Sequence, residues 1–398
     1  MDIIIHPTKL QGQIKAIPSK SQAHRFLICA AFSDRVTTLI CPETNQDIEA
    51  TVGCLCALGA NIQRTGDGYR IEPVKSVPSY AELHCRESGS TLRFLLPVVG
   101  ALGVDTLFHL QGRLAERPLS PLWEEMEAKG CTLTRPSKQT IRCHGKLNPE
   151  IFTIDGSVSS QFISGLLFAT ALMDGVSHIH LTGRVESEPY IHMTQHALAA
   201  FGVKSADFMV CGGWPLRSPG TLSVEGDWSN AAFFLAANAL GSSVDIMNLN
   251  PSSPQGDRAA ADLIPRLIDF QQISAANIPD LIPILSVVAC CHHGVHFTDT
   301  KRLRLKESDR VESVLQMLAS LGCRAYADHN SITVETGRIC GGIVESYGDH
   351  RIAMAAAIAA TAADGPVKIL NAQCVSKSYP GFWDDYATLG GKYEQYIR

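Results

Sequence analysis

The feature of this sequence that most constrains its fold is a pattern that recurs along the whole chain. Six times, a short cluster of small or polar residues opens an apolar run of helix length, at 26–32, 92–102, 162–172, 231–240, 281–291 and 352–363. Successive clusters start about 70 residues apart, except at the fourth interval, which is nearer 50. Such regular spacing indicates a chain built from repeated structural units.

A second, more amphipathic helix pattern lies between the apolar runs and ends at a glycine before alternating β-like segments. Gly59, Gly130, Gly202 and Gly322 follow the clearest examples, and glycine directly after the last helical residue is a common helix terminator. The Asp67-Gly68 pair between two β-like segments indicates a hairpin. Each unit is therefore predicted to have the order β-α-β-α-β-β.

Burial predicts how these units are arranged. A helix that is apolar on all sides must be buried on all sides, so we expect the six Ala- and Leu-rich helices inside and the sheets around them. The predicted fold class is α+β with α/β-type repeats: two domains of three units each, in an inside-out α/β barrel or prism. We place the N-terminal domain at 17–225 and the C-terminal domain at 1–16 plus 226–398, and we expect the strand at 3–5 to pair within the latter.

Composition argues against several functional classes. The chain is 45% hydrophobic and 18% charged, and its formal net charge of −5 argues against nucleic acid as a partner. No run of five or six like charges forms a polybasic membrane patch. The longest apolar runs are shorter than the ~18 residues of a membrane span, and no secretory signal is evident at the N-terminus. We therefore expect a soluble, cytoplasmic protein.

The cysteines and histidines do not predict a metal site. The 13 cysteines are scattered without a CxxC pair, which is typical of reduced thiols in the cytoplasm. The run CCHH at 290–293 could hold a metal, although the end of a buried helix that turns at Gly294 is the more ordinary interpretation. His192 and His196 are spaced i,i+4 but lack an HExxH carboxylate, and they are typical of a solvated helix face.

Polar and basic residues cluster where the apolar helices begin. A helix N-terminus carries unpaired N–H groups and a partial positive charge, so it favours anions. The run GSVSSQ at 156–161 supplies more hydroxyl and amide groups than capping needs. Arg351 precedes a very apolar helix, where an unpaired charge would be costly. Each cluster alone also has a structural interpretation, such as an N-cap, a tight turn or a salt-bridged helix start.

Taken together and in order, these motifs resemble those of the 5-enolpyruvylshikimate-3-phosphate (EPSP) synthases. The motifs that carry the resemblance are PSKSxxxR at 18–25, ESGSTLR at 87–93, ERP at 116–118, GSVSSQF at 156–162, SEPY at 187–190, VEGDxS at 224–229, QGD at 255–257, IPD at 278–280, KESDR at 306–310, GDHRIAM at 348–354 and KSYP at 377–380. The set spans the whole chain and is specific, whereas KESDR or ESGS alone would not be.

Three positions depart from the family pattern. Pro18 is followed directly by Ser19, where many members carry an extra glycine, and Glu188 stands where a basic residue is common. Arg302 occupies a place where an asparagine often contacts the shikimate phosphate. That one contact is therefore left open.

The resemblance implies an enzyme without metal or other cofactor that joins two small anions in the cleft between its domains. The enolpyruvyl group of phosphoenolpyruvate moves to the 5-hydroxyl of shikimate 3-phosphate, and inorganic phosphate is released. Such chemistry needs a carboxylate near the hydroxyl and a proton donor near the methylene carbon. By resemblance, Asp280 takes the first role and Glu307 the second, with Lys20 as proton partner.

The same resemblance implies the substrate contacts. Phosphoenolpyruvate would be bound by Lys20, Gly89, Arg117, Gln161, Arg310, Arg351 and Lys377. Shikimate 3-phosphate would be bound by Ser21, Arg25, Ser159, Ser160, Gln161, Ser187, Asp280 and Lys306. Arginine suits these roles because its planar fork matches carboxylate and phosphate oxygens. Repulsion among so many cations would hold the empty domains apart until ligands bind.

The resemblance further implies a place in aromatic amino-acid biosynthesis on the route to chorismate. It also implies that the herbicide glyphosate binds in the phosphoenolpyruvate pocket and extends further toward Gly89. Two alternatives stay open, an enolpyruvyl transferase that acts on a UDP-sugar and a non-catalytic anion-binding relative. The shikimate-type motifs oppose the first, and the presence of both Asp280 and Glu307 opposes the second. We expect the protein to be a monomer.

Overall fold

The chain divides into two structural units, and the computed structural model describes residues 1–396. The N-terminal unit is Pro18–Val224. The C-terminal unit combines Met1–Ile17 with the chain from Glu225 onward. Each unit has its own hydrophobic core.

The helices alternate between two types along the chain. Their bounds are α1 (Lys20–Ala31), α2 (Gln46–Ala57), α3 (Gly89–Leu102), α4 (Leu122–Ala128), α5 (Ser160–Leu172), α6 (Glu188–Ala200), α7 (Trp228–Ala239), α8 (Ala260–Arg266), α9 (Ile282–Cys290), α10 (Arg310–Ser320), α11 (His350–Ala359) and α12 (Phe382–Thr388). The odd-numbered helices are the six predicted apolar helices, and every residue of α9 and α11 is buried. Burial on all sides follows from their uniformly apolar composition.

Short 3-10 helices lie in several of the connections. They are Gly112–Glu116, Ala206–Phe208, Gly256–Ala259, Lys301–Leu305, Ala360–Ala362 and Ala372–Lys377.

The N-terminal unit contains three sheets, and neighbouring strands in each pair with one another. The first sheet has the order β13 (Thr221–Ser223), β3 (Thr37–Ile40), β5 (Gly68–Glu72) and β4 (Asn61–Thr65). The second has the order β6 (Tyr80–Arg86), β7 (Asp105–Leu110), β9 (Thr140–Gly145) and β8 (Cys131–Ser137). The third has the order β10 (Ile151–Asp155), β11 (Gly175–Thr182) and β12 (Met209–Gly212).

The described part of the C-terminal unit also contains three sheets. The fourth sheet of the chain is β14 (Ser243–Met247) and β2 (Gln11–Lys15). The fifth is β15 (Gln271–Ser274), β16 (Val295–Thr298), β18 (Ser331–Val334) and β17 (Ala325–Ala327). The sixth is β19 (Gly342–Glu345), β20 (Val367–Leu370), β1 (Asp2–His6) and β21 (Lys392–Tyr396).

Two local predictions about strands are confirmed. The N-terminal strand β1 pairs antiparallel with β20 and with β21 of the C-terminal unit, and Ile3 lies opposite Ile369. The Asp67-Gly68 region forms the hairpin between β4 and β5, with Thr65 opposite Gly68.

The third repeat has the predicted order, β10-α5-β11-α6-β12-β13, although its last strand pairs outside its own sheet, whereas the predicted order fails in the fourth repeat, where β14 and α8 are followed directly by β15. Within the described residues, the third sheet has three strands and the fourth has two. The strand β13 leaves the third repeat and pairs parallel with β3, while β2 from the N-terminus pairs parallel with β14. The fourth interval is about 20 residues shorter than the others, which removes the length that a terminal hairpin needs.

Packing inside the N-terminal unit is tight where α3 crosses α5. A Cβ added at Gly165 of α5 would lie 2.2 Å from the carbonyl oxygen of Arg93 and 3.1 Å from the ring of Pro97. The missing side chain therefore allows the two apolar helices to approach closely.

No helix among the described residues is long and apolar enough to cross a membrane.

Candidate active site

In the C-terminal unit, one buried arginine binds three carboxylates. The guanidinium of Arg310, at the first residue of α10, donates to Asp280 Oδ1 at 2.7 Å, to Glu307 Oε2 at 2.7 Å and to Asp349 Oδ2 at 3.0 Å. Its side chain is 1% exposed. Burial lowers the pKa of Arg310, but the three carboxylates more than offset this and raise it above the ordinary value. A buried charge with this many partners is stable, whereas an unpaired one would not be.

Asp280 lies among cations. It also accepts a hydrogen bond from Arg351 Nη2 at 3.1 Å, and the Lys306 ammonium lies 3.8 Å from its Oδ1. Burial raises the pKa of Asp280, but Arg351, Lys306 and Arg310 together hold it well below the ordinary value. Asp280 is therefore ionised at neutral pH in this arrangement.

Lys306 has an unusually low pKa. Burial, together with the charges of Arg310 and Arg302, lowers the pKa of this ammonium to about 8, although Asp280 partly offsets the shift. Arg302 lies in the 3-10 helix Lys301–Leu305. Arg302, one of the three departures from the family pattern, thus adds positive charge near Lys306.

The start of α11 completes this group. Asp349 is the N-cap of α11 and its Oδ1 accepts from the backbone N–H of Arg351 at 3.0 Å. Ser308 donates a hydrogen bond to Asp349 Oδ2 at 3.1 Å. Lys377, at the end of the 3-10 helix Ala372–Lys377, donates to the carbonyl of Gly348 at 3.1 Å. The six residues predicted for this unit therefore lie around the first residues of α9, α10 and α11. They are Asp280, Lys306, Glu307, Arg310, Arg351 and Lys377.

In the N-terminal unit, the bases of α1 are paired. Lys20 donates to Asp47 Oδ2 at 2.9 Å. The buried Arg25 guanidinium donates to Thr194 Oγ1 and to the backbone carbonyls of Ser21 and Tyr190, at 2.8, 2.6 and 2.8 Å. Burial lowers the pKa of Arg25 to about 10, although Tyr190 and Cys29 raise it. Arg25 therefore joins α1 to α6 besides carrying charge.

Two guanidinium groups surround Gly89 at the start of α3. A Cβ added at Gly89 would lie 2.8 Å from Nη1 of Arg117 and 2.8 Å from Nη1 of Arg93. Arg93 Nη1 donates to Gln161 Oε1 at 2.9 Å, and Gln161 Nε2 donates to Ser90 Oγ at 3.0 Å. Three predicted site residues, Gly89, Arg117 and Gln161, are thus brought together at the start of α3 and α5.

The serines predicted to bind substrate lie at two other helix starts. Ser159 is the N-cap of α5 and its Oγ accepts from the Gln161 backbone N–H at 3.3 Å, while Ser160 is buried at the first residue of that helix. Ser187 precedes α6 with a left-handed φ of 55°, and its side chain is buried. Non-glycine residues rarely adopt this conformation.

Sequence reasoning missed two residues, Arg93 and Asp349. Both lie inside motifs that were recognised, ESGSTLR and GDHRIAM, but neither was given a role. Arg93 is an arginine inside an otherwise apolar helix and is 4% exposed. A buried charge needs a partner, so that signal was present in the sequence.

Among the described residues, the CCHH run at 290–293 and the pair His192 and His196 do not belong to a three-residue group of ligand atoms. Burial and a hydrogen bond with the Cys323 thiol raise the pKa of Cys290, with the thiol contact as the larger cause. His192 lies 3.7 Å from Glu188, and both side chains are exposed.

Comparison with known proteins identifies the family of this chain. The model of the family described as "EPSP synthase (3-phosphoshikimate 1-carboxyvinyltransferase)" matches residues 4–271 and 263–386. The chain belongs to the EPSP synthase family. The alternative that it belongs with the enzymes acting on UDP-sugars has no support in this match.

Full-length relatives agree with membership in the EPSP synthase family. The chain is 35% identical to the 3-phosphoshikimate 1-carboxyvinyltransferase of Clostridium kluyveri over 420 residues, which covers 99% of this chain and 98% of the relative. It is 36% identical to the enzyme of the same name from Clostridium perfringens over 417 residues, covering 98% of both.

A solved structure supports the fold assignment independently. The EPSP synthase of Acinetobacter baumannii superposes with a TM-score of 0.79 and covers 99% of this chain and 100% of that one. Their sequences are 22% identical. At that identity, the similarity speaks for the fold alone.

Proposed function

We infer that this chain is a 3-phosphoshikimate 1-carboxyvinyltransferase in the shikimate pathway of aromatic amino-acid biosynthesis. It transfers the enolpyruvyl group of phosphoenolpyruvate to the 5-hydroxyl of shikimate 3-phosphate and releases inorganic phosphate. The observation that carries this function is the full-length similarity to enzymes of that name. The cation-rich helix starts in both units supply what two phosphorylated, acidic substrates require.

We propose that phosphoenolpyruvate binds at the guanidinium groups of the two units. Arg117 and the Gly89 turn offer a fork and backbone N–H groups, and Arg93 holds Gln161 beside them. Lys20, Arg310, Arg351 and Lys377 supply the remaining positive charge. Shikimate 3-phosphate is assigned to Ser21, Arg25, Ser159, Ser160, Gln161, Ser187, Asp280 and Lys306.

Proton transfer in the proposed mechanism involves two carboxyl groups that share Arg310. Glu307, in its protonated form, donates a proton to the methylene carbon while Asp280 accepts the proton of the attacking 5-hydroxyl. The tetrahedral intermediate then loses phosphate, which takes the proton held by Asp280, and the Glu307 carboxylate takes a proton back from the new methyl group as the double bond is restored. Lys20 exchanges protons with these groups.

The low pKa of Asp280 determines when this carboxylate can accept a proton. In the structure Arg351, Lys306 and Arg310 stabilise its ionised form, which makes it a weak base. Substrate phosphate and carboxylate oxygens compete for the same cations. Drawing these cations away raises the pKa of Asp280 and prepares it to accept a proton only when the anions are bound.

We further propose how the enzyme is organised. The two domains, 17–225 and 1–16 with 226–398, each contribute residues that bind the substrates. The enzyme is proposed to act as a cytoplasmic monomer, and light scattering after size-exclusion chromatography tests the oligomeric state directly.

One assay tests the function. Phosphate release from phosphoenolpyruvate is measured with shikimate 3-phosphate, with a UDP-sugar acceptor and with no acceptor. We expect release only with shikimate 3-phosphate. Release with the UDP-sugar alone would assign the chain to the other transferase class, and no release with any acceptor would indicate a binding protein.

A further inference from the structure

An exposed group of two histidines and one glutamate lies on the second sheet of the N-terminal unit. In the parallel pair β6–β7, His84 lies directly opposite His109, and Glu82 precedes His84 by two residues on the same face. The two imidazole rings are stacked with their centroids 4.4 Å apart. His109 Nε2 lies 2.9 Å from Glu82 Oε2.

The chemistry of this group is that of a metal site. One ligand atom from each of Glu82, His84 and His109 lies within 4.8 Å of the other two, and among the residues that the structure describes no other set of three does so. Imidazole nitrogen and carboxylate oxygen together favour Zn²⁺ and neighbouring late transition metals over Mg²⁺ or Ca²⁺. We propose that Glu82, His84 and His109 bind a divalent ion of this class, such as Zn²⁺.

The movement needed for binding is small. Zn–N distances near 2.0–2.1 Å place tetrahedral ligand atoms roughly 3.3 Å apart. In the structure the three ligand atoms lie within 4.8 Å of one another. Rotation about side-chain bonds that moves each ligand atom by about 1 Å brings them to the spacing of a tetrahedral zinc site. The register of the two strands already places His84 opposite His109.

Neighbouring side chains support the ligands. Tyr80 donates a hydrogen bond to Glu82 Oε1 at 3.0 Å, which leaves Oε2 directed toward His109. The nearby arginine on β9, Arg142, is held by Asp105 at 2.6 Å. Outer contacts of this kind orient metal ligands and remove competing charge.

The location of the site predicts its effect on the protein. β6 runs into the short turn before α3, which begins at Gly89, and β7 runs into the 3-10 helix Gly112–Glu116 that precedes Arg117. A metal bridging β6 and β7 would join the two strands that present these residues. It would stabilise the folded chain by mass action, since the unfolded chain lacks the assembled ligands.

Zn²⁺ titration of the full chain by calorimetry, together with thermal unfolding with and without Zn²⁺, tests the proposal. We expect one binding event that raises Tm in the wild type. In His84→Ala and His109→Ala we expect the affinity to fall by about 10-fold or more, because even outer contacts of a metal cost 10- to 100-fold. Glu82→Gln should weaken binding in the same direction.

A matched control is a second histidine pair on a strand of this unit. His178 and His180 on β11 have ring centroids 6.4 Å apart and are not part of the three-residue group. The double variant His178→Ala/His180→Ala should bind Zn²⁺ as the wild type does. An unchanged isotherm in His84→Ala and His109→Ala, an equal loss in the control, or no binding by the wild type would each overturn the proposal.

Discussion

At the scale of single residues, the proposed chemistry depends on carboxylates whose charge is set by shared cations. We expect Asp280→Asn and Glu307→Gln each to lower kcat by about 10²-fold or more while both substrates still bind, because general acid–base groups contribute about that much. Steady-state kinetics combined with calorimetric binding of shikimate 3-phosphate measures this.

Glu312→Gln is the matched control for these two variants. Glu312 is an exposed carboxylate in the first turn of α10, and its backbone N–H is bonded by the Asp309 cap. The control should keep its kcat. A change confined to KM in the Asp280 and Glu307 variants would contradict their role in proton transfer.

The pKa of Lys306 predicts a pH dependence of substrate capture. Burial lowers this pKa to about 8, so the free enzyme loses the positive charge of Lys306 as the pH rises through that value. We expect kcat/KM for shikimate 3-phosphate to fall above about pH 8, since this ratio reports on the free enzyme. In Lys306→Arg the charge persists, and the fall should move to higher pH. An identical pH profile in that variant would assign the fall to another group.

The close contacts around Gly89 predict that a substitution there weakens glyphosate more than phosphoenolpyruvate. Because an added Cβ would lie 2.8 Å from both Arg117 and Arg93, Gly89→Ala must displace these guanidinium groups. In the proposed binding mode Arg117 contacts the anionic groups of the ligand, so its displacement should raise glyphosate Ki by about 10-fold or more. In the proposed binding mode phosphoenolpyruvate extends less far toward Gly89 than glyphosate does, so its KM should rise less. Paired Ki and KM measurements decide this, and equal losses would limit Gly89 to the turn.

At the scale of elements, two helical glycines predict opposite effects on stability. Gly165→Ala would place a Cβ 2.2 Å from the backbone of α3, so α3 and α5 must separate, and we expect a loss of about 2 kcal/mol or more. Gly53 in α2 has no atom within 4 Å of such a Cβ. Gly53→Ala should therefore stabilise the protein by ~0.5–1 kcal/mol through helix propensity. Urea unfolding of both variants tests the pair, and destabilisation by Gly53→Ala would show that space is not the deciding factor.

Helix positions and types were the most predictable elements. The six apolar helices and the hairpin at β4–β5 follow from local periodicity and turn residues, which act over a few positions. The strands were less predictable where the third and fourth repeats meet. The first sheet is completed by β13, which pairs with β3, and the fourth sheet is completed by β2, which pairs with β14. In both pairs the two strands lie far apart in sequence.

At the scale of the whole molecule, we expect turnover to be independent of metal. The anions are assigned to arginine and lysine side chains, and the proposed site at Glu82, His84 and His109 lies on a sheet rather than at those helix starts. Dialysis against EDTA should leave kcat unchanged within error while it lowers Tm if metal was bound. Loss of turnover that a divalent ion restores would contradict the metal-free mechanism.

The sequence by itself determined the family, the repeat and the residue types at the helix starts. Motif order is a property of the linear chain, and an apolar helix must be buried wherever it is placed. Only the tertiary structure decided that Arg310 joins Asp280, Glu307 and Asp349, that Arg93 and Arg117 both face Gly89, and that His84 lies opposite His109. Most of these contacts join segments that are distant in sequence, and their geometry is set by strand register and helix packing. Local sequence patterns constrain neither of them, because both depend on which distant surfaces bury one another.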